Sequence, residues 1–275
     1  MTVLEALRFA ESALADITDE PKNEAKIIVA FLAGIEPNRL PLCSGEIDSG
    51  ALGEIIAKRS QRTPLQYILG KWWFFNSEFL VGEGVLIPRQ DTEHLVETAI
   101  HLIKDKEKPA VIDLCSGSGC IAISIAKEVR SAAVTALEKY DEAYEFLLKN
   151  IELNRTKNVL PVKADVLENC FGSFDLIVSN PPYIPRRDNE ILSEEVKKEP
   201  HTALFGGEDG LFFYREITKL WKGALKPDGR LAFEVGIGQA EAVEQILKDH
   251  GFGNITVIND LSGIQRVVFG TVNCL

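Results

Sequence analysis

The fold of this 275-residue chain is decided at Val111-Ile-Asp-Leu-Cys-Ser-Gly-Ser-Gly-Cys-Ile121. A short apolar run leads into a turn with two glycines, and a helical pattern, CIAISIAKEV, follows it. Glycine adopts backbone angles that other residues avoid, and the first N–H groups of a helix are free to bind a ligand. A tight turn without any ligand has the same pattern, so the spacing alone leaves both interpretations open. We predict a strand, a ligand-binding loop at Gly117 and Gly119, and a helix.

Strand and helix patterns alternate after this stretch. Helical patterns follow the apolar runs AAVTAL, FDLIVS and RLAFEV, LPVKA leads on to FDLIVS, and only NDLSG separates ITVI from QRVVFG. Alternation of this kind is typical of a mostly parallel sheet with helices on both faces. A short connection indicates an antiparallel hairpin. The sequence therefore predicts an α/β fold with a Rossmann-like sheet of seven strands, of which the last two form the antiparallel hairpin.

The region before the sheet has a helical rhythm. Apolar residues recur at helical spacing from Leu4 to Ile17 and from Ile27 to Leu32, and a third helix fits Ala51 to Arg62. The aromatic-rich segment PLQYILGKWWFFNSEFLV follows, with Gly70 and Asn76 as turn candidates. We predict a small helical domain at residues 1–62, a hairpin linker at 63–87 and a large α/β domain at 88–275.

Composition excludes several classes of protein. Lys and Arg number 30 against 41 Asp and Glu, a net charge of −11, which argues against direct DNA binding because such proteins usually present a basic face. No apolar run approaches the roughly 18 residues of a membrane span, and the amino terminus lacks the layout of a signal peptide. The five cysteines form no CxxC pair. We expect a cytoplasmic protein without membrane association, a disulfide framework or a metal site.

Acidic residues follow successive predicted strands. Glu138 ends AAVTALE and is placed to accept hydrogen bonds from ribose hydroxyls, and Asp165 follows LPVKA, where a carboxylate can bind an adenine amino group. Asp113 either binds a ligand ammonium or orients the glycine loop. Solvated charges at strand ends are the alternative for Glu138 and Asp165. The order CxGxGC departs from the GxGxxG of dinucleotide-binding loops, which favours a cofactor without phosphate, S-adenosyl-L-methionine.

A second motif, Asn180-Pro-Pro-Tyr183, follows FDLIVS. Each proline fixes its own φ and removes an N–H donor, so the segment is stiff and rich in acceptors. The side-chain oxygen of Asn180 and the carbonyl of Pro181 can accept the two N–H bonds of a planar amino group, while Tyr183 stacks on it. Two acceptors enrich a weakly nucleophilic nitrogen, so methyl transfer to an amide or aromatic amine needs no prior general base. A proline-rich loop leaving a sheet is the structural alternative.

These motifs resemble the HemK/PrmC family of S-adenosylmethionine-dependent methyltransferases, which modify the glutamine of the Gly-Gly-Gln motif in peptide chain release factors. The resemblance extends over nearly the whole chain and includes Leu86-Ile-Pro-Arg-Gln-Asp-Thr-Glu93, the glycine loop, the Asn-Pro-Pro-Tyr motif and Phe233-Glu-Val-Gly236. It departs from the family at two positions, since Cys115 replaces the usual glycine and Gln90 replaces a common proline.

The resemblance implies a five-helix amino-terminal domain that docks on the release factor, and it places Pro88 and Arg89 near cofactor and substrate. The expected cofactor-binding residues are Asp113, Gly117, Gly119, Glu138, Asp165 and Asn180. The expected catalytic residues are Asn180, Pro181 and Tyr183, and the expected substrate-binding residues are Pro88, Arg89, Asn180, Pro181, Pro182 and Tyr183. We expect a monomer whose protein partner is the release factor.

Other functions stay open at this point. A related enzyme could methylate glutamine in a ribosomal protein, and only the surface of the small domain would distinguish the two. An adenine-N6 nucleic-acid methyltransferase shares the Asn-Pro-Pro-Tyr motif, but it must bind a polyanion and extrude a base. A dehydrogenase is disfavoured by CxGxGC, and a binding module without catalysis leaves the Asn-Pro-Pro-Tyr motif unexplained. Glu234 has a simple interpretation as a strand-end charge.

Overall fold

The computed structural model describes residues 1–168 and 170–272, and within them the chain forms two compact units. The smaller unit consists of Met1–Gly70 and the short segment Ser193–Lys198. The larger consists of Lys71–Leu192 and the chain from Glu199 onward. The division at residues 62 and 87 that the sequence suggested stays a prediction.

The smaller unit is helical. Its elements are α1 (Val3–Leu14), α2 (Pro21–Ala33), a 3-10 helix (Pro37–Leu42), α3 (Ser49–Ser60) and α4 (Leu65–Leu69). Thr2 and Glu5 form a capping box at the start of α1, and the Asp48 carboxylate caps α3. These side chains satisfy N–H groups that a helix leaves without partners. Apolar residues at helical spacing, among them Leu14 and Ile28, form one buried core.

Arg59 ties the short segment Ser193–Lys198 to these helices. Its guanidinium is almost fully buried, donates to both carboxylate oxygens of Glu24 at 2.8 and 3.0 Å, and lies 3.4 Å from Glu195 Oε1. Lys198 Nζ donates to the carbonyl of Gln61 at 2.6 Å. A buried guanidinium needs such partners, since an unpaired buried charge is costly. The small unit is therefore built from two distant parts of the chain.

A short hairpin opens the larger unit. Strand β1 (Lys71–Phe74) pairs with the antiparallel strand β2 (Ser77–Leu80), and both turn residues, Phe75 and Asn76, have positive φ. Such a two-residue turn matches the twist of a hairpin. The preceding PLQYIL is not part of the hairpin, because Leu65–Leu69 forms α4 and Gly70 ends that helix with φ +73°. Gly70 is thus a helix cap.

The larger unit is built on a seven-stranded sheet in the order β5-β4-β3-β6-β7-β9-β8. Every neighbouring pair from β5 to β7 is parallel, and β9 is antiparallel to both of its neighbours, β7 and β8. The predicted fold class, with its closing antiparallel hairpin, is confirmed. The strands are β3 (Ala110–Leu114), β4 (Ala133–Glu138), β5 (Val159–Lys163), β6 (Phe174–Ser179), β7 (Leu225–Glu234), β8 (Phe252–Asn259) and β9 (Gln265–Val272).

Helices cover both faces of this sheet. They are α5 (Glu93–Ile103), α6 (Cys120–Glu128), α7 (Asp141–Asn154), α9 (Phe212–Trp221) and α10 (Ala240–Asp249), while the short helix α8 (His201–Leu204) belongs to the connection between β6 and β7. Alternate residues of each central strand enter different cores: Val111 packs with α5 and α6, whereas its neighbour Ile112 packs with α9 and α10. The strands are apolar on both faces because both faces are covered. Consequently the loops at the carboxyl ends of β3 to β7 are left to form a site.

Two sequence expectations concern absent features. Among residues 1–168 and 170–272, no helix is long and apolar enough to cross a membrane. Cys43, Cys115, Cys120 and Cys170 carry free thiols. Cys274 lies outside the described residues.

Candidate active site

The glycine loop after β3 combines open space on one side with tight packing on the other. Gly117 and Gly119 have φ of +54° and +81°. A Cβ on Gly117 would meet nothing within 4 Å, whereas one on Gly119 would lie 2.4 Å from Leu147 Cδ1. Gly119 therefore lets the loop approach α7, and Gly117 presents bare backbone to a cleft. Cys115 also has a left-handed φ of +62°, a backbone conformation that favours glycine.

Glu138, at the end of β4, holds the glycine loop. Its Oε2 accepts from the N–H of Gly117 at 2.8 Å. Its Oε1 accepts from the N–H groups of Lys139 and Tyr140 at 2.8 and 2.9 Å. Each oxygen of an ionised carboxylate has two lone-pair sites, so acceptor capacity remains on a side chain that lines the cleft.

Asp113 lies beneath the loop and is fully buried. Its Oδ2 accepts from the N–H of Ala122 at 3.2 Å, while Oδ1 has no hydrogen-bond partner among the residues that the structure describes. Burial, with a contribution from the charge of Glu138, raises the pKa of this carboxyl to about 7, although hydrogen bonding to Ser116 and Ala122 opposes the shift. The side chain supports the start of α6 and retains one unused acceptor.

Asp165 lies beyond the end of β5 and lines the same cleft. Its Oδ1 accepts from the N–H of Leu167 at 2.9 Å, and its Oδ2 pairs with Lys139 Nζ at 2.6 Å. Burial opposes ionisation of Asp165, but the bonds from Lys139 and Leu167 outweigh it and lower its pKa. This carboxylate is ionised at neutral pH, and the ion pair fixes its position.

Asn180, directly after β6, faces the cleft from the other side of the loop. Its Nδ2 donates to Thr92 Oγ1 at 3.2 Å. The adjacent Ser179 hydroxyl donates to the carbonyl of Leu114 at 2.7 Å, which fastens the end of β6 to β3. With Nδ2 engaged, the atom of Asn180 that remains for a ligand is the acceptor Oδ1.

The backbone of the other residues of the Asn-Pro-Pro-Tyr motif is held by packing and by a hydrogen bond. Pro181 and Pro182 are buried, and Pro182 lines the cleft. A Cβ on Gly206 would lie 2.4 Å from the carbonyl oxygen of Pro182, so the Gly-Gly-Glu-Asp-Gly loop packs directly on this backbone. Gln239 Nε2 donates to the Tyr183 carbonyl at 2.9 Å. These contacts fix the backbone of the motif.

Tyr183 is oriented differently from its neighbours. Its ring is close to Gly236, where a Cβ would lie 2.9 Å from Tyr183 Cδ2, and the residue is not among those that line the cleft. Burial raises the pKa of the phenol above its usual value, and the charge of Glu234 adds to the shift. Tyr183 is therefore a neutral hydroxyl near physiological pH.

Glu199 links Pro88 and Arg89 to the site. Its buried carboxylate accepts from the N–H of Ile87 at 3.0 Å and forms a short ion pair with the Arg89 guanidinium. Both Pro88 and Arg89 line the cleft. Removing Glu199 would leave the guanidinium without this partner, so the position of Arg89 depends on a residue 110 positions away in the chain.

The site residues converge on one cleft at the carboxyl ends of β3 to β6. Gly117, Glu138, Asp165, Asn180, Pro182, Pro88 and Arg89 line it, together with apolar side chains that include Leu137, Ala143, Val166 and Phe213. Asp113, Gly119, Pro181 and Tyr183 lie behind this lining. Carboxylates along one rim and apolar walls are suited to a ligand that carries both hydroxyl groups and a flat apolar ring.

Sequence reasoning did not identify Thr92, Glu199 and Gln239 as site residues. Each acts through a hydrogen bond to a residue far away in the chain: Thr92 to Asn180, Glu199 to Arg89, and Gln239 to Tyr183. Thr92 stands inside the Leu86–Glu93 motif that carried the family resemblance, which is the signal that pointed toward it.

Comparison with known proteins gives a consistent result over the whole chain. A family model described as PrmC N-terminal domain matches residues 5–70, and one described as Methyltransferase small domain matches residues 92–208. The release factor glutamine methyltransferase of Thermodesulfovibrio yellowstonii is 38% identical over 89% of this chain and 90% of that protein. The one of Clostridium acetobutylicum is 37% identical over 98% of both. The one of Fusobacterium nucleatum is 43% identical over 81% of this chain, a match that spans 64% of that protein.

Solved structures share the fold at low identity. A methyltransferase from Pyrococcus furiosus superposes with a TM-score of 0.53 at 16% identity, covering 82% of this chain and all of that one. The hMettl16 catalytic domain, solved with the MAT2A 3'UTR hairpin 6, has a TM-score of 0.56 at 13% identity and covers 81% of this chain and 92% of its own. The two likenesses concern the fold alone. With relatives above 30% identity along most of its length, the chain belongs to the release factor glutamine methyltransferase family.

Proposed function

We propose that the protein transfers a methyl group from S-adenosyl-L-methionine to the side-chain amide nitrogen of the glutamine in the Gly-Gly-Gln motif of peptide chain release factors, and so modulates translation termination. One observation supports this most directly. Asn180, whose free side-chain acceptor is Oδ1, and Pro182 line the same cleft as Gly117 and Glu138. In this proposal one cavity therefore holds both the cofactor and the substrate amide.

The cofactor end fits S-adenosyl-L-methionine in its donor and acceptor set. Glu138 retains one acceptor site, on Oε2, for a ribose hydroxyl, and Gly117 leaves open space over its backbone. The unused Oδ1 of Asp113, reached directly or through a water, is an acceptor for the methionine ammonium. Asp165 lines the same cleft and is the proposed acceptor for the adenine amino group, and the apolar walls suit the ring. The bound cofactor supplies an electrophilic methyl group on a sulfonium.

Residues of the Asn-Pro-Pro-Tyr motif bind the substrate amide and activate its nitrogen in this proposal. Asn180 Oδ1 and the Pro181 carbonyl each accept one N–H bond, which holds the NH₂ group and increases electron density on its nitrogen. A fixed orientation of the reacting nitrogen removes most of the entropic cost of the encounter. Because these acceptors are preorganised by Thr92 and Gln239, they need no rearrangement when charge develops.

Arg89 and Pro88 complete the substrate side. Arg89 lies over the cleft, held by Glu199, and presents donors to a peptide carbonyl next to the target glutamine. Tyr183 lies behind the lining of the cleft, and its proposed part is to support the Asn-Pro-Pro segment from there. The amide nitrogen attacks the methyl carbon while the carbon–sulfur bond breaks, and the methylated nitrogen then loses its proton to water. No residue therefore has to remove a proton before attack.

We assign selection of the release factor to the helical unit. A pocket that binds one primary amide cannot distinguish one glutamine from the many others in a cell, so recognition requires a second surface. Residues 5–70 match a domain named for this family, which supports this assignment. We further propose that the enzyme acts as a monomer and does not bind DNA directly.

Mass spectrometry of release factor after incubation with enzyme and S-adenosyl-L-methionine tests the proposal. We expect one added methyl group, on the peptide that contains the Gly-Gly-Gln motif. Parallel reactions should contain ribosomal proteins and an adenine-containing oligonucleotide as alternative acceptors. Methylation of either alternative with none on the release factor would contradict the proposed substrate, and the absence of transfer to any acceptor would contradict the proposed reaction.

A further inference from the structure

Glu234 is a buried carboxyl group that the proposed reaction leaves without a role. It ends β7, and only 2% of the residue is exposed. Ser179 pairs with Phe233 across the parallel strands β6 and β7, so Asn180 and Glu234 are the next residues along two neighbouring strands. The Oε2 atom of Glu234 has no hydrogen-bond partner within residues 1–168 and 170–272. A buried carboxyl in this position is costly, which suggests a function.

The polar groups beside Glu234 act on it in a defined direction. The Thr92 hydroxyl and the Asn180 side-chain amide both favour the ionised form of its carboxyl group. An ionised carboxylate only accepts, so it is stabilised by the donor ends of both neighbours. The donor on Asn180 is Nδ2, which also donates to Thr92 Oγ1 at 3.2 Å. Both partners therefore require the NH₂ end of the Asn180 amide on their side.

We propose that Glu234 is a positioning residue that, together with Thr92, fixes the amide of Asn180 with Nδ2 inward and Oδ1 toward the cleft. The inference rests on the proposed function, in which Asn180 Oδ1 accepts an N–H bond from the substrate amide. An asparagine amide is nearly symmetric in shape, so packing alone does not choose between its two orientations. The reversed orientation presents NH₂ to the NH₂ of the substrate and cannot hold it.

Arg266 does not neutralise Glu234 by direct pairing. Its guanidinium is engaged by Asp91 and by Asp260, each at 2.9 Å. The charged and titratable groups that act on Glu234 or feel its charge are Asp91, Arg266, Tyr183, Tyr214 and Cys120. Burial keeps both phenols and this thiol protonated near neutral pH, because it raises the pKa of each.

Protonation of Glu234 removes the bias on Asn180. Burial raises the pKa of Glu234 to about 7, while hydrogen bonding to Thr92, the charge of Arg266 and hydrogen bonding to Asn180 oppose the shift and the charge of Asp91 adds to it. A protonated carboxyl can donate to Thr92, whose hydroxyl is then free to donate to Asn180 Oδ1. Both amide orientations then become acceptable, so the turnover rate should fall as pH decreases through this pKa.

The test is the pH profile of kcat at saturating S-adenosyl-L-methionine for the wild type and for Glu234→Gln. The substitution preserves shape but can present either an acceptor or a donor to Asn180. Between about pH 6 and about pH 8.5, we expect wild-type kcat to fall toward low pH and the profile of Glu234→Gln to lack this acid limb. At the upper end of the range kcat of Glu234→Gln should be about 10-fold below that of wild type, with cofactor affinity unchanged. Asp175→Asn is the matched control, since Asp175 is a buried carboxyl at the opposite end of β6.

Asp113 also has a raised pKa and could add to the pH dependence. Its contribution is the same in wild type and in Glu234→Gln, so the difference between the two profiles belongs to Glu234. Saturating cofactor also keeps the pH dependence of cofactor binding out of kcat. Thr92→Val provides a second variant: kcat should fall while the acid limb remains, because Glu234 still titrates. A pH profile in Glu234→Gln that matches the wild type, or an equal loss in Asp175→Asn, would overturn the role of Glu234 alone. A wild type that methylates no amide at any pH would overturn the proposed function as well.

Discussion

Glu138 Oε2 accepts a hydrogen bond of 2.8 Å from the backbone N–H of Gly117, so the end of β4 holds the glycine loop that follows β3. The side chain therefore has two tasks in the proposed site. It shapes the loop that carries the open backbone of Gly117, and it offers the remaining lone pair of Oε2 to a ligand in the cleft. A substitution at Glu138 should affect binding through both.

The first prediction is that Glu138→Ala weakens the binding of S-adenosyl-L-methionine by roughly 1.5 to 3 kcal/mol, because a charged acceptor is lost and a loop N–H is left unpaired. Isothermal titration calorimetry measures this. Glu152→Ala, an exposed carboxylate on α7, is the control and should bind normally. Equal affinity for Glu138→Ala and wild type would remove Glu138 from the site.

A second prediction concerns protons. With its pKa raised to about 7, Asp113 is about half protonated at pH 7 in the ligand-free protein. A cationic ligand nearby favours the ionised form, so binding of S-adenosyl-L-methionine should release protons, and affinity should rise as pH increases through this pKa. Calorimetry in buffers of different ionisation enthalpy detects the release. Asp113→Asn should abolish it, and a binding enthalpy that does not depend on the buffer in wild type would contradict the prediction.

The same raised pKa values predict how stability depends on pH. Asp113 and Glu234 each have a pKa of about 7 when folded, against 3.8 and 4.5 as ordinary values. Folding therefore favours their protonated forms, and their contribution to stability, complete below the unfolded values, is lost as pH rises through about 7. The ligand-free wild type should lose more Tm between about pH 6 and about pH 8 than Glu234→Gln loses. If Tm depends on pH identically in both proteins, Glu234 is already ionised at the lower end of this pH range and the prediction is wrong.

Parts of this molecule are predictable from sequence because they depend on local chemistry. The seven strands are apolar runs of strand length, and the closing hairpin is marked by the short NDLSG connection. Gly117 and Gly119 signal positive φ, which the structure shows. By contrast, PLQYIL forms a single helical turn between Pro64 and Gly70, and an apolar run this short fits strand and helix equally well.

Other parts depend on pairings that no local pattern encodes. Thr92 and Asn180 are 88 positions apart, and Ser193–Lys198 joins the helical unit through Arg59. At Cys115 the usual glycine is absent, so the residue type gives no sign of the left-handed backbone there. The two compact units are therefore assembled from tertiary contacts that could not be read from the order of motifs.

The fourth prediction concerns recognition by the helical unit. Leu42 is 88% exposed and stands between Pro41 and Cys43, which line a groove on this unit. If the unit docks on the release factor, Leu42→Glu should lower kcat/KM for the intact protein about 10-fold, since a charge in a desolvated contact is costly. Activity on a short Gly-Gly-Gln peptide should not change. Leu261→Glu, at a fully exposed leucine in the larger unit, is the control. A kcat/KM equal to that of the control would place docking elsewhere.

The last prediction tests the chemistry at Asn180. Asn180→Ala removes one of two acceptors for the substrate amide and leaves an N–H unpaired in a closed pocket, and loss of a comparable preorganised contact lowers kcat by about 10² to 10³. Because Asn180 also donates to Thr92, some loss of stability is expected as well, and it must be measured separately. Asn180→Asp keeps an acceptor but adds a charge beside the buried carboxyl of Glu234, so its activity should be intermediate and should depend on pH.

The decisive comparison sets methyl transfer by Asn180→Ala against its Tm and its affinity for S-adenosyl-L-methionine. If Asn180 only ends the strand, the activity of Asn180→Ala will fall in step with its stability. Thr92→Val removes the hydrogen-bond partner of Asn180 Nδ2, and its activity will then fall in step with its stability as well. If Asn180 holds the substrate nitrogen, kcat will fall by orders of magnitude in a protein that melts nearly normally and still binds the cofactor. Near-normal turnover in a well-folded Asn180→Ala enzyme would refute the role proposed for this residue.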